Sequence, residues 1–446
     1  MSEPYYHSLR FEASRCTGCM SCMRACPTQA IRVRRGHALM LEDRCIDCGE
    51  CIRVCTRRAI LPLTGSLADL SKFDVTIAIP SPALYAQFDT ELSPGVVLEA
   101  LNQCGFEDVA NLSPSCAAVT AVIEMYLAEY RGQYPLISSF CPTVVRLIQV
   151  KYPDLVEQLL PILAPREVAA REAKLRKAEE TGLPLDRIGA VYITPCPAKM
   201  VSIVDHPGME KSCLDSAVSI SDLFPVLATA IPRVQHAGGA ARKTETASGL
   251  SWAFLRGLPS SLPAEDTMSV AGLPNVMRIL DDIEKGKLRR YTFIECHACP
   301  EGCVGGALTV QNPYVARARV IRLTQSLGDD PVIDREEVLQ RYQAGDYLMK
   351  LRIEARPLIP LDKEISRAIT KMKESERIGS NLLGIDCGAC GAPSCKAFAE
   401  DVVRGKAEEG QCVFVRQREI ESLVKELASR VCAQSRTSRP LSEEYT

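Results

Sequence analysis

Cysteine is the residue type through which this chain could do the most chemistry. The sequence contains 21 cysteines, and most of them lie in short runs in which neighbouring cysteines are separated by two to four residues. Such spacing suits metal ligation by thiolates far better than it suits disulfide bonds between distant parts of a chain. The pattern therefore predicts metal-bound thiolates in a protein kept in a reducing compartment.

Two consecutive copies of the spacing C-x2-C-x2-C-x3-C stand near the N-terminus. The first copy is Cys16, Cys19, Cys22 and Cys26, and the second is Cys45, Cys48, Cys51 and Cys55. This arrangement resembles two-cluster bacterial ferredoxins, in which the fourth cysteine of each run ligates the cluster of the other run. The resemblance implies one 4Fe-4S cluster with Cys55 joining the first three cysteines, and another with Cys26 joining Cys45, Cys48 and Cys51. A pair of zinc sites is the alternative, but zinc sites do not interleave two runs of four cysteines.

A third group of cysteines lies near the C-terminus. Its spacing is C-x2-C-x4-C-x16-C, and its members are Cys387, Cys390, Cys395 and Cys412. The glycine-rich surroundings resemble the small 4Fe-4S modules of corrinoid iron-sulfur proteins and electron-transport subunits, and a structural zinc site is the alternative. We expect a helix over residues 395–404, a charged helix over 415–431, and a polar, disordered tail over 436–446.

The elements between these groups must position any further site. From Phe73 onward, short β-rich runs alternate with helical stretches, which is typical of an α/β fold with a buried parallel sheet. The β-rich runs cover residues 74–80, 136–140, 189–194 and 290–295, and helices are predicted over 94–104, 117–130, 143–151 and 165–181. The last three β-rich runs each end in a loop that contains cysteine, where such sheets place their sites. The charged residues of helix 165–181 are expected to face solvent.

These loops resemble three loops of the iron-only hydrogenases. Ser138-Ser139-Phe140-Cys141-Pro142 is similar to the family's T-S-C-C-P, and residues 194–199 (TPCPAK) are similar to M-P-C-x-x-K. The third loop contains the C-P-x-G-C pattern from Cys299 to Cys303. A further short segment, Ser81-Pro82-Ala83, resembles one that lines the family's diiron pocket. The resemblance spans about residues 73–355.

The resemblance implies an H-cluster. Its 4Fe-4S cubane would be held by Cys141, Cys196, Cys299 and Cys303, and Cys303 would bridge to a diiron unit that carries carbon monoxide, cyanide and a dithiolate. Lys199 is expected to donate a charge-assisted hydrogen bond to a cyanide in a dry pocket. The alternative for Lys199 is an exposed surface side chain. The other residues expected at the cofactor are Ser81, Pro82, Ala83, Ser139, Thr194 and Pro195.

Several positions depart from the family pattern, among them Arg166, where the family often has glutamine. Phe140 stands where active members keep a proton-relaying cysteine, and its side chain has no ionisable proton. Thr194 and His297 replace residues that are commonly methionine. His297 either titrates near neutrality and offers another proton route, or packs as a neutral side chain beside the cluster. Together with Lys199, Phe140 and His297 are therefore the residues expected to shape catalysis, and a slow hydrogenase of the sensory branch is the favoured function.

Composition limits the remaining possibilities. The chain has 446 residues, with 53 Lys plus Arg against 55 Asp plus Glu, so it offers no strong field for nucleic acid or an anionic membrane. No apolar stretch reaches the roughly 18 residues of a membrane helix, and no export signal is evident, so we expect a cytoplasmic protein without membrane insertion. The expected partners are dihydrogen, protons and a redox protein such as ferredoxin or another electron-transfer subunit.

The organisation that we expect has three domains: a two-cluster ferredoxin-like α+β domain (1–62), a two-lobed α/β H-cluster domain (63–360), and a small helical 4Fe-4S domain with its tail (361–446). Together the chain would hold three accessory 4Fe-4S clusters and one H-cluster. Two alternatives are a non-catalytic relative without the diiron unit, similar to iron-sulfur assembly factors, and an electron-transfer subunit. The cysteines left unassigned are expected to be small buried hydrophobic residues: Cys104, Cys116, Cys213, Cys296 and Cys432.

Overall fold

The structure is a computed structural model that describes residues 5–237, 245–258, 262, 266–327 and 333–437. The chain divides into two compact units. Unit 1 comprises Met1–Glu12 and Glu42–Leu358, and unit 2 comprises Ala13–Leu41 and Ile359–Thr446. The first cysteine run therefore belongs to unit 2 and the second run to unit 1. The division into three domains stays a prediction.

The strands of the described residues form two parallel sheets and two antiparallel pairs. In chain order they are β1 (Leu9–Phe11), β2 (Ile31–Arg34), β3 (His37–Met40), β4 (Ile60–Pro62), β5 (Val75–Pro80), β6 (Asp108–Val109), β7 (Leu136–Ile137), β8 (Ile188–Thr194), β9 (Ser216–Ser219), β10 (Thr267–Ala271) and β11 (Phe293–His297).

The helices give the units most of their packing surface. They are α1 (Ser21–Ala25), α2 (Glu50–Val54), α3 (Pro94–Asn102), α4 (Ser113–Glu129), α5 (Pro142–Lys151), α6 (Pro165–Thr181), α7 (Pro197–Val204), α8 (Ile220–His236), α9 (Ala247–Ser251), α10 (Leu273–Glu284), α11 (Pro313–Ser326), α12 (Arg335–Gln343), α13 (Ile365–Asn381), α14 (Cys395–Val403) and α15 (Val413–Thr437). None of the described helices has the length and apolar composition needed to cross a membrane.

Two parallel sheets organise unit 1. The larger has the order β6-β5-β8-β9, and all seven residues of β8 are buried, as expected for a parallel strand covered on both faces. The smaller has the order β10-β11-β7 and packs against α5 and α10 through Ile137, Ile148 and Leu280. These two sheets confirm the predicted two-lobed α/β class.

Several predicted boundaries need correction. The run predicted over 136–140 forms a strand only at Leu136–Ile137, after which the chain turns toward Cys141. The strand predicted over 290–295 lies instead at Phe293–His297, because parallel pairing with β10 continues as far as Ala271 opposite His297. Helix α6 has the predicted bounds. Its first turn is nevertheless not a solvated charged face, since Arg166 and Glu167 are both buried.

Unit 2 joins the first cysteine run to the C-terminal cysteine group. The antiparallel pair β2–β3 contributes Arg32, whose Nε donates to Asp401 Oδ2 at 2.6 Å and whose Nη2 donates to Oδ1 at 3.1 Å, with both side chains buried. Arg34 adds a third bond to Asp401 at 2.8 Å. Because bidentate arginine–carboxylate pairs are strong and geometrically specific, this ion pair fixes the two segments to each other.

The C-terminal end and the unassigned cysteines give mixed outcomes. The predicted helices over 395–404 and 415–431 are present as α14 and α15. Of the predicted disordered tail, residues 436–437 are helical and the remainder lies outside the described residues. Cys116 and Cys296 are buried as predicted, whereas Cys432 is exposed, so that prediction is wrong for Cys432, which lies on the open face of a surface helix. Cys104 and Cys213 are only partly buried.

Candidate functional site

Three cysteine-containing loops of unit 1 meet at one site. Cys141 and Cys196 stand directly before helices α5 and α7, each of which begins with proline. Proline at the first helical position has a φ suited to the helix and lacks an N–H that would go unpaired. Each cysteine therefore stands at the positive end of a helix dipole. Cys299 and Cys303 follow the end of β11.

The four sulfurs lie close enough to influence one another. Burial raises the pKa of Cys196 to about 11, and the thiols of Cys303 and Cys141 add to this effect while Lys199 opposes it. Burial also raises the pKa of Cys299, with contributions from Cys196, Cys141 and Cys303. Four thiolates gathered in one place repel each other unless a cation neutralises them. The donor set therefore suits a metal cluster that binds deprotonated thiols.

A cavity with about 630 Å³ of space between atoms, part of it open to solvent, lies beside these cysteines, and of the four, Cys141 and Cys303 line it. The predicted site residues in its wall are Ser81, Pro82, Phe140, Cys141, Lys199, His297 and Cys303. The structure thus brings together residues that are more than 200 positions apart in the sequence.

The other predicted site residues support the loops. Ser139 Oγ donates to Leu160 O at 2.7 Å, and Thr194 Oγ1 donates to Cys196 O at 2.9 Å. Pro195 O accepts from Leu308 N at 2.8 Å. Ala83 is fully buried, and its N–H donates to Ser81 Oγ at 3.3 Å. These groups fix the backbone on which the cavity wall depends.

Lys199 is a buried cation at the centre of the site. Its Nζ donates to Cys303 Sγ at 3.2 Å, and the residue is only 5% exposed, so the alternative of a surface lysine is wrong. Burial lowers the pKa of Lys199, but the thiol of Cys303 and the hydroxyl of Tyr192 raise it above its ordinary value overall. On Cys303, burial raises the pKa, and Lys199 and His297 bring it down to about 6. Each group of the pair therefore favours the charged form of the other.

Glu295 and His297 form a second charged pair at the cavity. His297 Nε2 lies 3.0 Å from Glu295 Oε1, which is close enough for an ion pair. Burial lowers the pKa of His297, while Glu295 and Cys303 raise it well above its ordinary value overall. Sequence reasoning singled out His297 but missed Glu295. Strand periodicity was a usable signal, because residues two apart on a strand share a face.

Arg166 is a second buried cationic side chain beside the cavity, after Lys199. Its Nη2 donates to Ser202 Oγ at 3.2 Å, and its Nε lies 3.8 Å from Glu167 Oε1. Among the described residues, no group accepts a hydrogen bond from this Nε. Buried donors are almost always satisfied in folded proteins. The donor left over on Arg166 fits a cavity that receives a bound group with acceptor atoms.

Phe140 forms an apolar part of the cavity wall. Its ring meets that of Trp252 edge to face, with centroids 5.0 Å apart and an interplanar angle of 64°. Cys116 and Cys296 complete this part of the wall. Trp252 is the single tryptophan of the chain, but nothing in its sequence surroundings indicated that it would reach this site.

Comparison with known families decides the identity. A model of the iron-only hydrogenase large subunit, C-terminal domain, matches residues 74–235 and 239–307, which is more than half of the chain. The chain belongs to the iron-only hydrogenase family. Two further families extend this result: a 4Fe-4S dicluster domain matches residues 8–56, and a family of Fe-S cluster domains matches residues 383–414. The chain is thus a hydrogenase-like iron-sulfur protein.

Individual relatives in the iron-only hydrogenase family are distant. Iron hydrogenase 1 of Clostridium pasteurianum is 24% identical over 257 residues, which are 48% of this chain and 45% of that protein. The NADP-reducing hydrogenase subunit HndD of Solidesulfovibrio fructosivorans is 23% identical over 351 residues, 65% of this chain and 55% of that subunit. The chain therefore spans about half the length of the curated relatives it matches. A solved structure of FeFe-hydrogenase HydA1 from Chlamydomonas reinhardtii aligns with 17% identity and a TM-score of 0.45, covering 65% of this chain and 98% of that one.

The second cysteine run packs directly against the hydrogenase-family site. Cys48 and Cys141 border the same apolar cluster, and Ser8 Oγ donates to Pro197 O at 2.8 Å. Gly49 has a φ of +77°, and a Cβ there would lie 2.5 Å from Ala307 Cβ. Arg53 donates to Gly305 O. This close approach places a predicted cluster-binding run beside the loops that carry Cys196 and Cys303.

The C-terminal cysteines also converge, within unit 2. All four line one cavity of about 360 Å³ together with Phe398 and Ala392. In the first run, Cys26 Sγ accepts from Ala30 N at 3.2 Å, and in unit 1 Cys55 Sγ accepts from Ala59 N at the same distance. Amide donation to sulfur is the usual way in which a protein stabilises a reduced iron-sulfur cluster. How the ligands are shared between the two runs stays a prediction.

Proposed function

We propose that this iron-only hydrogenase family member binds an H-cluster in the 630 Å³ cavity and oxidises dihydrogen slowly and reversibly, in a sensory role. The observation that carries the proposal is the buried ammonium of Lys199, 3.2 Å from Cys303 Sγ in a wall of gathered thiols. Such an ammonium is costly in a dry site unless anionic groups surround it. Thiolate and cyanide ligands would satisfy it.

The proposed roles follow from position. Cys141, Cys196, Cys299 and Cys303 would hold the cubane, with Cys303 also reaching the diiron unit. Lys199 and Arg166 would donate hydrogen bonds to the outer ligands of that unit. When bound, the H-cluster supplies the redox chemistry, in which dihydrogen yields two protons and two electrons. The protein would orient the H-cluster, exclude water from it, and carry the protons and electrons.

Slow turnover follows from the apolar wall at Phe140. A relay needs a donor within hydrogen-bond reach of the reacting group, and an aromatic ring offers none. Phe140 and Trp252 instead close this side of the cavity. The His297–Glu295 pair is a titratable pair in the wall, and we infer that it holds the proton that enters or leaves. A slow site of this kind suits the detection of dihydrogen better than bulk turnover.

Electrons would pass through the accessory clusters to a redox protein such as ferredoxin or another electron-transfer subunit. The packing of the second cysteine run against the Cys196 and Cys303 loops supports this route for the electrons. Cluster-to-cluster transfer needs close approach, and Gly49 leaves no room for a side chain at this contact.

The second candidate function is a non-catalytic iron-sulfur protein without the diiron unit. The replacement of a relay residue by Phe140, packed on Trp252, favours it. The unused Nε donor of Arg166 favours the hydrogenase function, because a cubane held by four cysteines gives it no acceptor.

Isotope exchange tests the proposal. Anaerobically matured protein in H2O under deuterium gas should release HD, and a Lys199→Met variant should lose this exchange because the diiron unit would no longer be anchored. Lys211→Met is the matched control, since Lys211 is exposed and should leave the exchange unchanged. Failure of the wild type to form HD, although its cubanes and diiron unit are loaded, would contradict the catalytic proposal.

A further inference from the structure

The last helix of unit 2 carries an apolar face that is open to solvent. Helix α15 runs from Val413 to Thr437, and five large apolar side chains on it are 53–64% exposed. They are Ile420, Leu423, Val424, Leu427 and Val431. Isolated exposed apolar residues are common, but five on one helix face form a patch of the kind that marks an interaction surface.

Their spacing is that of a coiled-coil seam. Ile420, Val424, Leu427 and Val431 are separated by four, three and four residues, which assigns the two valines to a positions and the other two to d positions of a heptad. Leu423 falls at the neighbouring g position and widens the seam. A β-branched residue at a, with leucine or isoleucine at d, favours a two-stranded parallel coil. The pattern therefore fits one partner helix of the same kind.

The charges beside the seam fit a second copy of the same helix. In this register Arg416 occupies a g position and Glu421 the following e position. In a parallel pair, the g residue of one helix faces the next e residue of its partner, so Arg416 would meet Glu421 of the other copy twice, once on each side.

The antiparallel alternative gains nothing from these charges. With the same core layers, Arg430 would face Leu423 of the other copy, and Glu421 would face Ala428. Neither of these two contacts pairs opposite charges. A membrane surface is also a poor match, because residues 413–432 carry four basic and three acidic side chains, whereas surface-binding helices have a strongly basic polar face.

We propose that α15 forms a parallel two-stranded coiled coil with α15 of a second copy of this chain. The helix starts at the residue after Cys412, and its first turn, with Phe414 and Val415, packs on the C-terminal cysteine module. A parallel pair would therefore hold the two C-terminal modules at the same end of the coil. The inference does not depend on the diiron unit, so it stands or falls separately from the proposed function.

Analytical ultracentrifugation of the full iron-loaded chain tests the pairing. The wild type should show a concentration-dependent dimer. Val424→Glu should raise the dimer dissociation constant by about 100-fold or more, because two buried valines are lost per dimer. Ser422→Glu, at an f position on the far side of the same helix, is the matched control and should change it little. Unchanged iron content and visible absorption would show that the C-terminal module is intact in each variant.

Charge exchange tests the parallel register. Arg416→Glu and Glu421→Arg should each weaken the dimer by about 10-fold, since each places like charges together on both sides of the coil. The double variant should restore most of the affinity. The proposal is overturned if the wild type stays monomeric both in the absence and in the presence of anionic lipid vesicles. It is also overturned if Val424→Glu weakens the dimer no more than Ser422→Glu does. A double variant that pairs no better than the single ones would exclude the parallel register.

Discussion

Two groups of four cysteines in this protein, one in each unit, have different surroundings. In unit 1, the group with Cys196 and Cys303 borders a cavity of about 630 Å³ that contains buried Lys199 and Arg166. In unit 2, the group with Cys390 lines about 360 Å³ among apolar side chains such as Phe398. At the second group, Arg34 is already engaged with Cys390 O at 2.6 Å and with Asp401, and Arg24 with Cys387 O at 3.1 Å. The first site therefore has a buried donor left for a further group, Arg166 Nε, whereas these arginines at the second site are bound to protein groups.

Removing one ligand from each group gives the largest expected contrast. Cys196→Ser should abolish HD formation, because the central cubane loses a ligand and the diiron unit loses its attachment. Cys390→Ser should remove one accessory cluster while HD formation by the remaining protein continues. Iron content, electron paramagnetic resonance and isotope exchange on both variants would check this. Equal loss of exchange in the two variants would break the distinction between the sites.

The apolar wall of the first site can be tested by restoring a relay. Phe140→Cys should raise the rate of dihydrogen oxidation by about 100-fold, because a thiol could pass protons where the ring cannot. Phe140→Ala is the matched control, since it opens the same space without a proton carrier. Similar gains in both variants would show that the ring limits access and not proton transfer.

The stability of the fold around the C-terminal cysteine group should depend on the ion pair between Arg32 and Asp401. Asp401→Asn should lower the free energy of unfolding of unit 2 by about 3 kcal/mol, because buried Arg32 would lose its charged partner. Asp362→Asn is the control, as its pair with Lys371 is partly exposed, is screened by solvent and should contribute much less. Denaturant unfolding followed by cluster absorbance would measure both. No difference between the two variants would argue against the role of Asp401.

A buried carboxyl away from the cysteines should give a smaller, pH-dependent effect. Burial raises the pKa of Glu245 to about 7, although bonds from Ser113 and Tyr85 lower it. The folded state therefore binds this proton more tightly than the unfolded state does. The contribution of the bound proton to the free energy of unfolding is lost as pH rises from about 4.5 to 7. Between pH 5 and 7 the free energy of unfolding of the wild type should fall by about 2 kcal/mol. The Glu245→Gln variant should not show this fall. Parallel stability curves for the two proteins would contradict this.

The cysteine groups could be predicted from the sequence because ligand spacing and strand ends are local features. The runs around Cys196 and Cys390 carry their own pattern, and α6 was bounded by Pro165 and by Gly182, whose φ of +71° ends the helix. Parallel strands then bring the ends of β7, β8 and β11 to the loops that hold the thiols, as such sheets require.

The rest of the cavity wall depends on packing between elements far apart in the chain. Trp252 reaches Phe140 across more than 100 residues, and no local pattern records that contact. Arg166 was assigned to solvent because it opens a helix rich in charge, yet it lies buried. A charged pattern shows which residues could be exposed, but only tertiary packing decides which are covered.

Infrared spectroscopy of anaerobically matured protein tests the central claim most directly. Bands of metal-bound carbon monoxide and cyanide should appear in the wild type, and Lys199→Met should shift or remove the cyanide bands while the cubanes remain. A protein with its cubanes fully loaded but without any such bands would contradict the presence of a diiron unit in the cavity.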